Sequence, residues 1–142
     1  MNETSVKHRF IINSAYFTDG KNFYSREEEK IMEEKLIKNV EHRKAFCLKD
    51  LVDYEAGKVA SMTLAQQPGV GMTVFAFDAG EGISAHAAGG DAMVQILEGE
   101  AEITIDGVPN IVKEGESIIM PKGISHALKA VTRFKMLLTV AF

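Results

Sequence analysis

Gly115-Glu116-Ser117-Ile118-Ile119-Met120-Pro121-Lys122-Gly123-Ile124-Ser125-His126 is the stretch on which the reading of the fold turns. Gly115 opens a turn, and Ser117–Met120 is a short β-prone run. Pro121 then fixes φ and withholds an N–H where that strand must end or bend. Gly123 permits the tight approach that sends His126 along the next strand. One short strand, a reversal and a second strand headed by a histidine follow from residue types alone.

The same texture continues outward from this stretch. In Ala101-Glu102-Ile103-Thr104-Ile105-Asp106, Glu102 and Thr104 face one way while Ile103 and Ile105 face the other. Asp106-Gly107 supplies a hairpin turn. By the same reasoning Val59–Leu64, Met72–Phe77, Ala92–Glu98, Glu100–Ile105, Ile111–Val112, Ser117–Met120, His126–Lys129 and Phe134–Val140 read as strands. Short strands with frequent turn signals predict an antiparallel barrel or double-sheet jelly roll. No helix-period segment separates them, which excludes a parallel βαβ sheet.

Before residue 45 the pattern differs. Ser25-Arg26-Glu27-Glu28 reads as a capping box. Met32, Leu36 and Val40 recur at spacing four, and acidic residues precede basic ones along the segment. These features predict an amphipathic helix over residues 26–42, with His42 at its end. The expected division is an N-terminal arm and helix over 1–44, followed by a barrel over 45–142.

Composition narrows the class. The 142 residues are 46% hydrophobic and 25% charged, as in a globular domain with an ordinary core. Residues 1–50 carry 10 basic and 9 acidic side chains, whereas 51–142 carry 6 and 11. The strand-rich part is therefore acidic, without a basic stripe to neutralise phosphates, and nucleic-acid binding is not expected. No apolar run approaches the ~20 residues of a membrane helix. The polar N-terminus lacks a signal-peptide core, so a cytoplasmic protein is expected. Cys47, the sole cysteine, excludes an intrachain disulfide and Cys-rich zinc sites, and it reads as a small buried hydrophobe. The methionines among the strands read as core filler. Gly69-Val70-Gly71 and Gly80-Glu81-Gly82 lack the strand–helix context of a nucleotide loop and read as turns.

A second stretch completes the picture: Gly80-Glu81-Gly82-Ile83-Ser84-Ala85-His86-Ala87-Ala88-Gly89-Gly90-Asp91-Ala92, running on to Ile96-Leu97-Glu98-Gly99. With Gly115–His126 it resembles the paired motifs of the cupin superfamily, across about residues 58–140. Gly115, Pro121, Gly123 and His126 fall in register with the second motif, and Ala130 replaces its final Asn. The resemblance implies an all-β, cupin-like double-stranded β-helix, a jelly-roll barrel carrying a short N-terminal α-helical extension. It also implies a site in which two histidines and a carboxylate from the first motif join a histidine from the second.

This chain departs from that ligand set. His86 and His126 occupy two of the four positions, while Ala88 and Ala92 stand at the others. Asp91 lies beside the missing carboxylate and can serve if the backbone there is still loop. Within a strand, a one-residue offset would turn it to the opposite face.

Two functions of different class follow as expectations. In the first, the protein binds an unknown small molecule in a cavity lined by His86 and His126, with Asp91 as a further contact. In the second it is a metal-dependent enzyme of the dioxygenase or isomerase type. There, His86 and His126 would hold one divalent ion (Fe, Mn, Ni or Zn) whose open positions take substrate. Open sheet edges and the apolar stripe of the helix predict a homodimer. His8 and His42 need no functional role on this reading.

Overall fold

A computed structural model describes residues 34–142, of which Leu36–Phe142 form one compact unit. The strands are β1 (Val59–Gln67), β2 (Val70–Phe77), β3 (Gly82–His86), β4 (Asp91–Glu98), β5 (Glu100–Ile105), β6 (Val108–Lys113), β7 (Ser117–Met120), β8 (His126–Lys129) and β9 (Phe134–Ala141). They form a five-stranded sheet in the order β1-β2-β9-β4-β7 and a four-stranded sheet in the order β3-β8-β5-β6. Every pairing is antiparallel. The expected jelly roll is thus the observed one. Asp106 and Gly107, at φ 48° and 77°, close the β5–β6 hairpin between the paired residues Ile105 and Val108.

Strand alternation decides what each sheet buries. On β9, Phe134 and Met136 point into the space between the sheets, where they meet Phe77, Val94, Ile96, Ile103, Leu128 and other buried side chains. Each such side chain contributes roughly 1.5–3 kcal/mol through burial. Leu137 points the other way, into a second cluster with Val52, Leu64, Val74 and Ala76. Val40, Leu48, Leu51 and Tyr54 pack against that cluster from the segment preceding β1. The outer face of the five-stranded sheet is covered by its own chain, which is why β9 is apolar on both faces. A single 3₁₀ turn, Leu48–Asp50, shapes the covering segment.

Polar contacts tie that segment down. The Tyr54 hydroxyl donates to a Glu98 carboxylate oxygen at 2.7 Å, and the ring carries Lys135 Nζ and Arg133 Cζ at 4.9 and 5.1 Å from its centroid. Burial, reinforced by that bond, pushes the Tyr54 hydroxyl well above the usual phenol range. The buried Lys135 donates to the Lys49 carbonyl at 2.7 Å. Among the described residues, no buried side-chain polar atom lacks a hydrogen-bond partner.

Asp78 is the other tether. Its carboxylate accepts the Gly57 N–H and the Arg133 Nε–H, each at 2.7 Å. The Gly57 amide and then the guanidinium hold its carboxyl below the usual carboxylate range. A carboxyl depressed in the folded state stabilises above its unfolded value and loses that contribution as pH falls through the folded one. Asp78→Asn should therefore lower the thermal midpoint at about pH 7, with the gap to wild type narrowing as the pH drops toward about 3. Melting curves across that range check it; a gap that stays constant would contradict the assignment.

The predicted helix is corrected where it can be seen. Residues 26–33, with the capping box and the first part of the stripe, lie outside the described residues, as does His8. Residues 36–42 form bends and turns, with Asn39 at φ 63° and Arg43 at φ 65°. The reason is competition from a sheet edge. Lys38 N–H donates to the Leu64 carbonyl at 2.7 Å, and Asn39 Nδ2 donates to Thr63 O at 2.8 Å. Polar groups that would serve a helix are instead satisfied on β1, whose outer edge they cover. The His42 ring donates to the Ile37 carbonyl at 2.7 Å rather than facing a helix end. Cys47, expected to be buried, is exposed. No helix among the described residues is long and apolar enough to cross a membrane.

Candidate functional site

Two turns bring the motif histidines together. Pro121–Ile124 closes through Ile124 N–H to the Pro121 carbonyl at 3.1 Å, with Gly123 at φ 75° in the left-handed region that a side chain would strain. Gly123 N–H also donates to the Ala88 carbonyl at 3.0 Å, fastening this turn to the β3–β4 loop. His126 then opens β8 and His86 ends β3, and the two are register partners. Their ring centroids lie 4.5 Å apart at an interplanar angle of 68°, edge to face.

The backbone sets the proton arrangement of both rings. His86 Nδ1 is 2.9 Å from the Ser84 carbonyl oxygen, and His126 Nδ1 is 3.1 Å from that of Ile124. A carbonyl can only accept, so each Nδ1 carries a hydrogen, and the neutral ring keeps a lone pair on Nε2. His126 is 3% exposed, whereas His86 is exposed to solvent. The pair therefore runs from the interior to the rim of the barrel.

Asp91 does not join them. It is the first residue of β4, and the next residue, Ala92, is buried in the core between the sheets. Alternation turns Asp91 away, and its carboxylate accepts the Lys122 N–H at 2.8 Å. Its contribution is indirect: it anchors the turn that positions His126.

A cavity of about 190 Å³ lies at the end of the five-stranded sheet where Val140 pairs with Ala92 and Ala92 with Met120, just before the turn to His126, and here sequence reasoning missed the participants. Thr63, Thr73, Leu138 and Val140 line it from β1, β2 and β9, with the ring of Phe142 beside them. All belong to the five-stranded sheet or its C-terminal continuation, whereas both histidines belong to the four-stranded sheet. Neither His86 nor His126 lines this cavity, which lies on one sheet while the imidazole pair lies on the other. The β3–β4 loop links them. It leaves His86, and a Cβ on its Gly89 would sit 4.0 Å from the Phe142 ring. Thr63 and Thr73 pair directly across β1 and β2, a juxtaposition that only the folded register creates.

Comparison with known proteins agrees with this architecture. The cupin domain family matches residues 73–142. A conserved protein of unknown function from Streptococcus pyogenes is 48% identical, over 77% of this chain and 96% of that one, with a TM-score of 0.75. A cupin superfamily protein from Desulfitobacterium hafniense is 32% identical over 75% and 97% of the two chains, with a TM-score of 0.71. The chain belongs to the cupin superfamily. A cupin 2 conserved barrel domain protein from Leptotrichia buccalis is 42% identical (TM-score 0.67), over 68% of this cupin and 47% of its own chain. At 17% identity and a TM-score of 0.56, a salicylate 1,2-dioxygenase from Pseudoaminobacter salicylatoxidans shares the fold alone. No curated protein matches the chain.

The metal site implied by the family can be tested on the donors present. His86 and His126 have the carbonyl-anchored rings often seen in metal-bound imidazoles. Ala88 and Ala92 contribute no donor, and Asp91 is engaged elsewhere. Among the described residues, no group of three or more His, Cys, Asp or Glu is gathered to hold an ion. Catalytic zinc sites, for comparison, use three protein ligands. The residues of this cupin do not fit the four-ligand centre.

Proposed function

We propose that this cupin binds a small molecule at the end of its barrel where His86 and His126 meet, the two imidazoles acting as polar anchors. One observation carries the reading: two rings 4.5 Å apart are each tied by Nδ1 to a backbone carbonyl, which in the neutral form leaves a lone pair on each Nε2. The cavity walled by Leu138, Val140 and the Phe142 ring offers an apolar seat at the same end. Concave sites of this composition, with a few placed polar groups, suit small organic ligands.

Cyclohexanol serves as a probe. Its titration should shift the ring resonances of His86 and His126 together with the methyl resonances of Leu138 and Val140. His86→Ala and His126→Ala should each weaken binding about five- to tenfold, as expected for one lost hydrogen bond. Elemental analysis of protein purified without added metal supplies the opposing arm. A stoichiometric metal that disappears in both variants would overturn the proposal in favour of a metal-dependent enzyme.

A further inference from the structure

The chemistry of the ligand follows from which atoms the site leaves available, given that reading of the site. With each Nδ1–H consumed by a backbone carbonyl, the rings in their neutral form present acceptors at Nε2 and no free N–H. The two neighbouring positions at which the family places ligands add nothing polar, since Ala88 and Ala92 end at a methyl group. A carboxylate would set lone pairs against lone pairs here, leaving the acceptor on the buried His126 unmatched. A hydroxyl or amine N–H meets each Nε2 correctly, and ring centroids 4.5 Å apart place the two imidazoles within the span of one small molecule.

The size of the ligand follows from the cavity. A dry cavity of about 150 Å³ accommodates benzene, and this one, at about 190 Å³, is of the same order. Leu138, Val140 and the Phe142 ring suit an apolar body, while the Thr63 and Thr73 hydroxyls, 3.5 Å apart, tolerate one more polar atom. We infer that the ligand is neutral, with a compact body about the size of one six-membered ring, and carries two adjacent O–H or N–H donors that bind Nε2 of His86 and His126. Carboxylates of the same size are discriminated against.

The test compares cis-1,2-cyclohexanediol with cyclohexanecarboxylate, titrated at about pH 8, where an ordinary imidazole is neutral. Side-chain resonances of His86, His126, Leu138 and Val140 report binding. The diol should bind on the order of tenfold more tightly than the carboxylate, and the preference should fall to about twofold or less in His86→Ala. His86 is exposed, so the variant should keep the wild-type melting temperature as a control for folding. Tighter binding of the carboxylate, or a preference unchanged in His86→Ala, would overturn this inference while leaving a small-molecule site in place. Failure of both probes and of cyclohexanol to move any of these resonances would overturn the site itself.

Discussion

Phe134→Ala should lower the stability of this cupin by about 3–5 kcal/mol, the range for removing a large aromatic from a packed core. Phe134 and Phe77 are both fully buried and stack with centroids 4.4 Å apart and rings only 10° from parallel. Phe77 ends β2, Phe134 begins β9, and the two residues are register partners. The stack therefore joins the central strand β9 to its neighbour β2 and fills the space facing Ile103 and Leu128. Truncation leaves a cavity that flanking strands cannot close without breaking their ladder. With total stabilities of 5–15 kcal/mol typical of such domains, much of the cooperative transition should be lost. Urea unfolding followed by circular dichroism checks the value; a loss below about 1 kcal/mol would show that this stack is not the centre of the core.

Gly99→Ala should be the second severe change, at more than about 2 kcal/mol. Gly99 joins β4 to β5 at φ 74°, where an alanine costs roughly 1–2 kcal/mol in the backbone alone. An added Cβ would also meet the Arg133 carbonyl oxygen and approach Phe134 Cα to 3.2 Å. Both obstacles are main chain and cannot rotate away. The β4–β9 register also slips between Ile96 and Glu98, immediately before this connection. The same unfolding measurement applies, and a loss under about 0.5 kcal/mol would mean that the crossover relaxes freely.

These two residues also show why the barrel could be read in advance. Phe134, Met136, Leu138 and Val140 alternate with outward neighbours, and Gly99, Gly107, Gly115 and Gly123 fall where the chain reverses through positive φ. Local chemistry and tertiary need coincide there, so period and punctuation sufficed. They part company at β3. Gly82-Ile83-Ser84-Ala85-His86 has one large apolar residue and pairs only with β8 at a sheet edge, so its pairing partner makes it a strand. The apolar stripe ending at Val40 carried a helical signal that a long-range bond from Lys38 to Leu64 overrode. Asp91 is directed to the Lys122 N–H and away from the histidines for a reason already visible in its one-residue offset from Ala92. The cavity escaped notice because Thr63 and Thr73 become neighbours only through a strand pairing.

The most direct test of the site is the protonation pattern of the two imidazoles, read by long-range ¹H–¹⁵N correlation at about pH 8, where an ordinary imidazole is neutral. His86 and His126 should both carry their hydrogen on Nδ1, and an inter-ring nuclear Overhauser effect should connect them. Nε2–H in either ring, or silence between the rings, would contradict the arrangement from which the ligand chemistry follows.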